Sequence, residues 1–225
     1  MTGSALAGAI FICSFLLSGI IADYKEAEKI PTELRAALEN IWDEAILFKQ
    51  EVSKFNLEDT RKRLRNIVTS FFEGVSHAKG HAALEDCLKS VDDLSPIFSQ
   101  MQKLGLLPNF LVRLKGEQGV IRRNVLRVFH IQKTQFIPSA YILAESIVAL
   151  IVFVLLFIKT EGSPESFVLF GFISYMFVYI VRLIRRIEQP FQEGDSSLDD
   201  VSLFLLHDLE TKFDSKDTRF QKVGS

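Results

Sequence analysis

A chain of 225 residues with 48% hydrophobic residues, 24% charged residues and a formal net charge of −2 has the average composition of an ordinary soluble domain. Its 20 Phe, 12 Gly and 6 Pro exclude disordered and collagen-like chains, and its 2 cysteines, Cys13 and Cys87, exclude a disulfide scaffold. A pI near 6.1 supplies no general basic field for nucleic acid.

The averages hide an uneven distribution: residues 1–22 carry no charge, and residues 136–158 carry one, Glu145. A bilayer-spanning helix needs about 20 apolar residues, and three stretches are expected to be long enough to cross. The first runs from about Ser4 to Ala22. It lacks a basic n-region and exceeds a typical signal h-region, which argues against a cleaved signal peptide. At about 100° per residue, Ser4, Ala7, Phe11, Ser14, Phe15, Ser18 and Ala22 gather on one side of the helix. Leu6, Ile10, Ile12, Leu16, Leu17 and Ile20 cover the rest, and this aliphatic side is expected to face lipid. The small, hydroxylated and aromatic side then meets other helices or water. Two readings of it stand together: close helix packing through small residues, or a pore wall whose hydroxyls contact ions while Phe11 and Phe15 form a constriction that gates by dewetting.

Residues 23–135 carry 18 Lys or Arg against 16 Asp or Glu, a mixed-charge, water-facing pattern rather than a polybasic lipid anchor. The segment reads as helical throughout. Leu34, Leu38, Ile41, Ala45, Phe48, Val52 and Phe55 alternate spacings of four and three, which predicts a helix in search of a partner, starting at Pro31 and Thr32. Asn56 is placed to cap the next helix, whose apolar positions are Leu64, Ile67, Val68, Phe71, Phe72 and Val75, with Gly74 and Gly80 weakening its end. A shorter helix around Leu84, Leu88 and Val91 is expected to end before Pro96, and Gly105 with Pro108 marks another break. Val120 to Phe129 then leads toward the second span, interrupted at Pro138.

The second span runs from Phe136 to Ile158 and the third from Phe167 to about Val181. Arg122, Arg123, Arg127 and Lys133 precede the second, and Arg182, Arg185 and Arg186 close the third. By the positive-inside rule the middle segment and the C-terminus are cytoplasmic and the N-terminus lies outside. An intramembrane acid is costly, so Glu145 should face protein or water. Counted from the loop near Gly162, Tyr179 lies at its depth and Arg182 one turn nearer the cytoplasm, so either is expected to satisfy it. Its role is a hydrogen-bonded tie between spans or an ion-pathway carboxylate. After the third span, Ser197 is expected to cap a helix beginning near Leu198. The acids Glu193, Asp195, Asp199 and Asp200 lack the calcium-loop pattern.

Other chemistry is sparse. His77 and His81 have the helical spacing of two metal ligands, but Gly80 intervenes and no third ligand is near. His130, His207 and both cysteines lack companions, and nucleotide-binding, nucleophile-elbow and metalloprotease motifs are absent. No enzyme activity, cofactor, metal or nucleic-acid partner is expected. The expected fold is all-α: an integral membrane protein with a first membrane helix at 1–22, a cytoplasmic helical region at 23–135, a membrane hairpin at 136–184 and a cytoplasmic C-terminal segment with a helix at 185–225.

The C-terminal half resembles the bestrophin ion channels. The resemblance is carried by Ile137-Pro138-Ser139-Ala140-Tyr141, by Ile173-Ser174-Tyr175-Met176-Phe177, and by Ile187-Glu188-Gln189-Pro190-Phe191 followed by Leu198-Asp199. It is looser over Ser18 to Trp42, where Asp23-Tyr24-Lys25-Glu26-Ala27-Glu28-Lys29 is similar to bestrophin-like relatives. It implies a homo-oligomer, a pentamer, with a central pore continued by the cytoplasmic helices and contacts with membrane lipid and monovalent ions, chloride or another. In that family the second of four membrane helices lines the pore and carries its neck. By order in the chain, the first span here takes that place, with Phe11, Ser14, Phe15 and Ser18 as pore or neck candidates and Pro138, Tyr141, Tyr175, Glu188, Pro190 and Phe191 as motif residues.

The chain departs from the family pattern in showing three spans against four. Gln192 stands where Gly usually follows Pro-Phe, and the acidic run that binds calcium in animal members is dispersed. Two other functions remain open at this point: a non-conducting, bestrophin-like membrane scaffold, and a proton- or cation-coupled transporter using Glu145.

Overall fold

The computed structural model describes residues 2–75, 80–133, 138–157, 164–188, 190–191 and 200–214. They form α1 (Thr2–Glu51), α2 (Leu57–Val75), α3 (Gly80–Asp92), α4 (Leu94–Lys103), α5 (Pro108–Lys133), α6 (Pro138–Phe157), α7 (Pro164–Ile187) and α8 (Phe204–Asp214). The helix start predicted at Pro31 and Thr32 is absent, because α1 is one helix of 50 residues with Pro31 inside it. A proline in a helix interior withholds one hydrogen bond and costs about 3 kcal/mol. The turn persists here because Ala27, Ile30 and Leu34 around it are buried.

The chain divides into two compact units, Met1–Glu26 with Thr134–Pro190, and Ala27–Lys133 with Phe191–Ser225. The first unit packs the start of α1 against α6 and α7 in two layers. Ala9 and Cys13 meet Val148, Ile151 and Phe177; Leu16 and Ile20 meet Tyr141, Ala144 and Ile184. Rising numbers on α1 thus meet falling numbers on α6 and rising numbers on α7, so α1 runs antiparallel to α6 and parallel to α7. Among the described residues, two helical stretches are long and apolar enough to cross a membrane, Ala7–Glu51 and Phe167–Ile187; the apolar run Tyr141–Val154 of α6 is shorter.

In the second unit the predicted stripe is buried at Leu34, Leu38, Ile41, Ala45 and Phe48 on α1; beyond the helix end at Glu51, Val52 is half-buried and Phe55 buried. Asn56 caps α2 as expected, its Oδ1 accepting the Asp59 N–H at 3.3 Å. The helix around Leu84, Leu88 and Val91 ends before Pro96 as expected, α3 closing at Asp92. Pro96 itself falls in the first turn of α4, where its missing N–H has no intrahelical partner to lose. Gly105, at φ 107°, supplies the left-handed residue that separates α4 from α5, and Pro108 opens α5. Two buried polar side chains are paired across helices: Gln118 donates to the Val91 carbonyl at 2.6 Å, and Glu44 meets Arg113 at 3.0 Å.

α8 begins at Phe204 rather than near Leu198, since residues 201–203 are not helical. It buries Leu206, Leu209 and Phe213, the last edge-on to Trp42 at 5.8 Å. Polar contacts fix its register: Asp214 with Arg65 at 2.6 Å, Glu210 accepting from Thr69 at 3.0 Å, and His207 stacked on Phe72 at 4.2 Å.

Gly74 sits where α2 and α3 approach most closely. A Cβ there would stand 2.6 Å from Leu84 Cδ2 and 3.1 Å from the Leu84 backbone nitrogen. The side-chain end can yield and the backbone cannot. Gly74→Ala is therefore expected to destabilise the chain by about 1–3 kcal/mol despite its better helix propensity. Chemical denaturation checks this, and a stabilised variant would show that α3 moves away freely.

Candidate functional site

The helical period of the first span decides which of its faces the hairpin takes. Leu16 and Ile20 are 0% and 2% exposed, whereas Phe11 and Phe15 are 72% and 63% exposed. Ala7, Gly8, Ser14, Ser18 and Ala22 are exposed as well. The structure thus brings Phe11, Phe15 and Ser18 onto one open face, with Ser14 at its edge, exposed but lining a groove with Ile173, Met176 and Phe177 of α7. The expectation that the whole aliphatic side meets lipid needs correction. Leu16 and Ile20 fill the space among the three helices, Ile12 and Leu17 pack at its edge, and Ile10 stays outside. The reason is volume: Ala144 on α6 leaves room that branched aliphatic side chains fill without unpaired polar atoms. The side chains of Ser4 and Leu6 lie outside the described residues.

Glu145 on α6 pairs with Arg185 on α7. The expected partners were Tyr179 and Arg182; Tyr179 instead stacks on Tyr175 with ring centroids 5.9 Å apart, and Arg182 is exposed on the same face of α7. Sequence counting missed Arg185 because it compares backbone depths. An arginine with a long apolar stem reaches back along its own helix by about a turn. The available signal was the spacing itself, since Arg182 and Arg185 are three apart and share one face.

The motif residues separate into two groups. Tyr141 is buried, and Glu188, Arg185 and Asp23 lie within electrostatic reach of its hydroxyl, so the start of α6, the end of α7 and the Asp23 turn of α1 share one polar cluster. Tyr175 is exposed on α7, away from that cluster. Pro138 opens α6, Glu188 is half-buried, and Pro190 and Phe191 are buried.

Elsewhere the chemistry is quiet. Burial pushes the Cys87 thiol up to about 12, and its Sγ sits 3.6 Å from the Ile67 carbonyl as a weak donor, so it is an inert core thiol. Among the described residues no three or more His, Cys, Asp or Glu side chains gather as a metal site. His77, Glu193, Asp195, Ser197 and Asp199 lie outside the described residues, as does the side chain of His81.

No protein-family model and no curated protein matches the sequence. Solved structures do match. A point variant of a bacterial bestrophin homolog from Klebsiella pneumoniae superposes with a TM-score of 0.78 at 14% identity, over 94% of this chain and 85% of that one. A second variant of that homolog gives 0.77 at 13% identity, over 93% and 83%. A structure described as a membrane protein variant gives 0.75 at 14% identity, over 94% and 85%. The fold is therefore bestrophin-like, and its all-α class is as the sequence predicts.

Proposed function

We propose that the chain is the subunit of a bestrophin-like membrane channel, assembled with copies of itself around a central pore lined by the open face of α1. The observation that carries this reading is the orientation of that face. A span-length helix turns two phenylalanines and Ser18 away from its own hairpin, with Ser14 exposed at the edge of that face, where lipid alone would favour plain aliphatic residues. Several copies converging through the small residues would place Phe11 and Phe15 in a narrow apolar ring and Ser14 and Ser18 beside them as polar contacts. Five copies, as the family resemblance implies, passing chloride or another monovalent ion, is the arrangement we adopt. The distribution of basic residues supports a cytoplasmic second unit and C-terminus and an outside N-terminus.

The Glu145 carboxylate is held by a guanidinium, which supports a structural tie between α6 and α7 over a proton or cation carrier. Purified protein in a planar bilayer tests the channel: a conductance with a defined reversal potential across a salt gradient is expected and gives the sign of the ion. Silence across salt and pH, with a normal oligomer, would overturn the channel in favour of a non-conducting membrane scaffold.

A further inference from the structure

α6 and α7 flank an open groove of about 600 Å³ that the proposed conduction path does not use. Its walls come from one face of each helix: Val148, Val152 and Phe153 on α6, and Val178 and Val181 on α7. The charged side chains are all at one end, Glu145 from α6 with Arg182 and Arg185 from α7. Because the helices are antiparallel, Glu145 lies near Arg182 and Arg185 while Phe153 lies near Val178. The groove is therefore polar at one end and apolar at the other, and at about 1.5 Å per residue it runs roughly 12 Å from Glu145 to Phe153.

Charge decides what fits. Two guanidiniums face one carboxylate, and Arg185 is committed to Glu145. Arg182 has no ion-pair partner among the described residues and is exposed at the groove mouth. The occupant must therefore bring an anion to Arg182 and an aliphatic chain to the valines. A neutral lipid meets only the second demand, and a small inorganic anion only the first. A planar guanidinium also holds phosphate oxygens in pairs, and basic pockets between membrane helices favour anionic headgroups.

We propose that this groove binds an anionic phospholipid, its phosphate on Arg182 and one acyl chain along Val148, Val152, Val178 and Val181, with the Glu145–Arg185 pair fixing the width of the mouth. The proposal rests on the membrane reading above but not on conduction. Phosphatidylglycerol is the probe. Full-length protein is reconstituted in nanodiscs holding equal phosphatidylglycerol and phosphatidylcholine, and lipid retained on the intact oligomer is measured by native mass spectrometry. The wild type is expected to retain phosphatidylglycerol over phosphatidylcholine by about tenfold. Arg182→Ala should abolish most of that preference, Val178→Trp should lower retention of both lipids by filling the groove, and Arg182→Lys should restore part of the preference. Equal retention of the two lipids by the wild type overturns the proposal without any variant having to fold. So does an unchanged preference in Arg182→Ala, or a disulfide between two copies through cysteines placed at Val152 and Val178, which would mean that a second subunit fills the groove. Failure of the chain to enter nanodiscs at all would instead refute the membrane reading.

Discussion

Arg185→Ala is expected to lower the stability of the membrane-embedded protein by about 2–3 kcal/mol, the penalty for an acid left without its cation inside a span. The pair bridges α6 and α7 directly, so the loss falls on the hairpin. Two effects compete. Removing a half-exposed arginine frees side-chain entropy, worth a fraction of that amount, whereas stranding Glu145 in an apolar groove leaves its charge to be neutralised by protonation or by water drawn into the bilayer. The second effect dominates because Val148, Val181 and their neighbours offer the carboxylate no donor; Arg182, at the same end of the groove, is the one remaining cation among the lining residues, so Arg185→Ala combined with Arg182→Ala should show the full penalty. The double change Glu145→Ala with Arg185→Ala removes both charges together and should cost less than Arg185→Ala alone. Reversible unfolding in mixed micelles measures both variants. A double variant no better than the single one would show that the pair is screened by water and ties nothing together.

Much of the second unit was legible because its signal is periodic. The run from Leu34 to Phe55 repeats at spacings of three and four, and all of its positions but Val52 are buried. The Asn56 cap is a local interaction three residues long, and it stands as read. The helix start expected at Pro31 is misplaced because a residue that breaks helices on average sits where packing offsets its penalty, enclosed by buried neighbours on one helix. Pro96, by contrast, follows the end of α3 at Asp92 as expected and opens no break of its own, because it sits in the first turn of α4. Gly74 was read as a weak helix end, but its value lies in the approach of Leu84 from α3, a contact between elements that no local pattern encodes.

The candidate site divides along the same line. Which residues of the first span share a face follows from 3.6-residue periodicity, and the open face matches that grouping. Which face the hairpin would take did not follow, because it depends on the volumes of Ala144, Val148 and Phe177 on helices more than a hundred residues away. The groove between α6 and α7 was invisible for a related reason. Its valines are unremarkable in an apolar span, and only the pairing of Arg185 with Glu145 singles out Arg182 as the cation left at its mouth.

Phe11→Ala combined with Phe15→Ala is expected to raise the single-channel conductance by about tenfold, which corresponds to removing about 1.4 kcal/mol from the barrier to permeation. The barrier in an apolar ring is the cost of keeping water in a space whose walls offer it no hydrogen bonds, and it falls steeply as the ring widens. Truncating two phenyl groups per subunit widens the ring on every side at once. Stability does not confuse the result. At 72% and 63% exposure, neither ring contributes to the layers that hold α1 against α6 and α7, so the fold of each subunit should be preserved. Ser14→Ala makes the contrasting change: it removes a hydroxyl while leaving the width nearly the same, so it should alter the permeability ratio between ions more than the conductance. The readout is single-channel recording on oligomers of verified size. If the phenylalanine double variant conducts as the wild type does, the constriction lies elsewhere, and the open face of α1 is a packing surface between subunits.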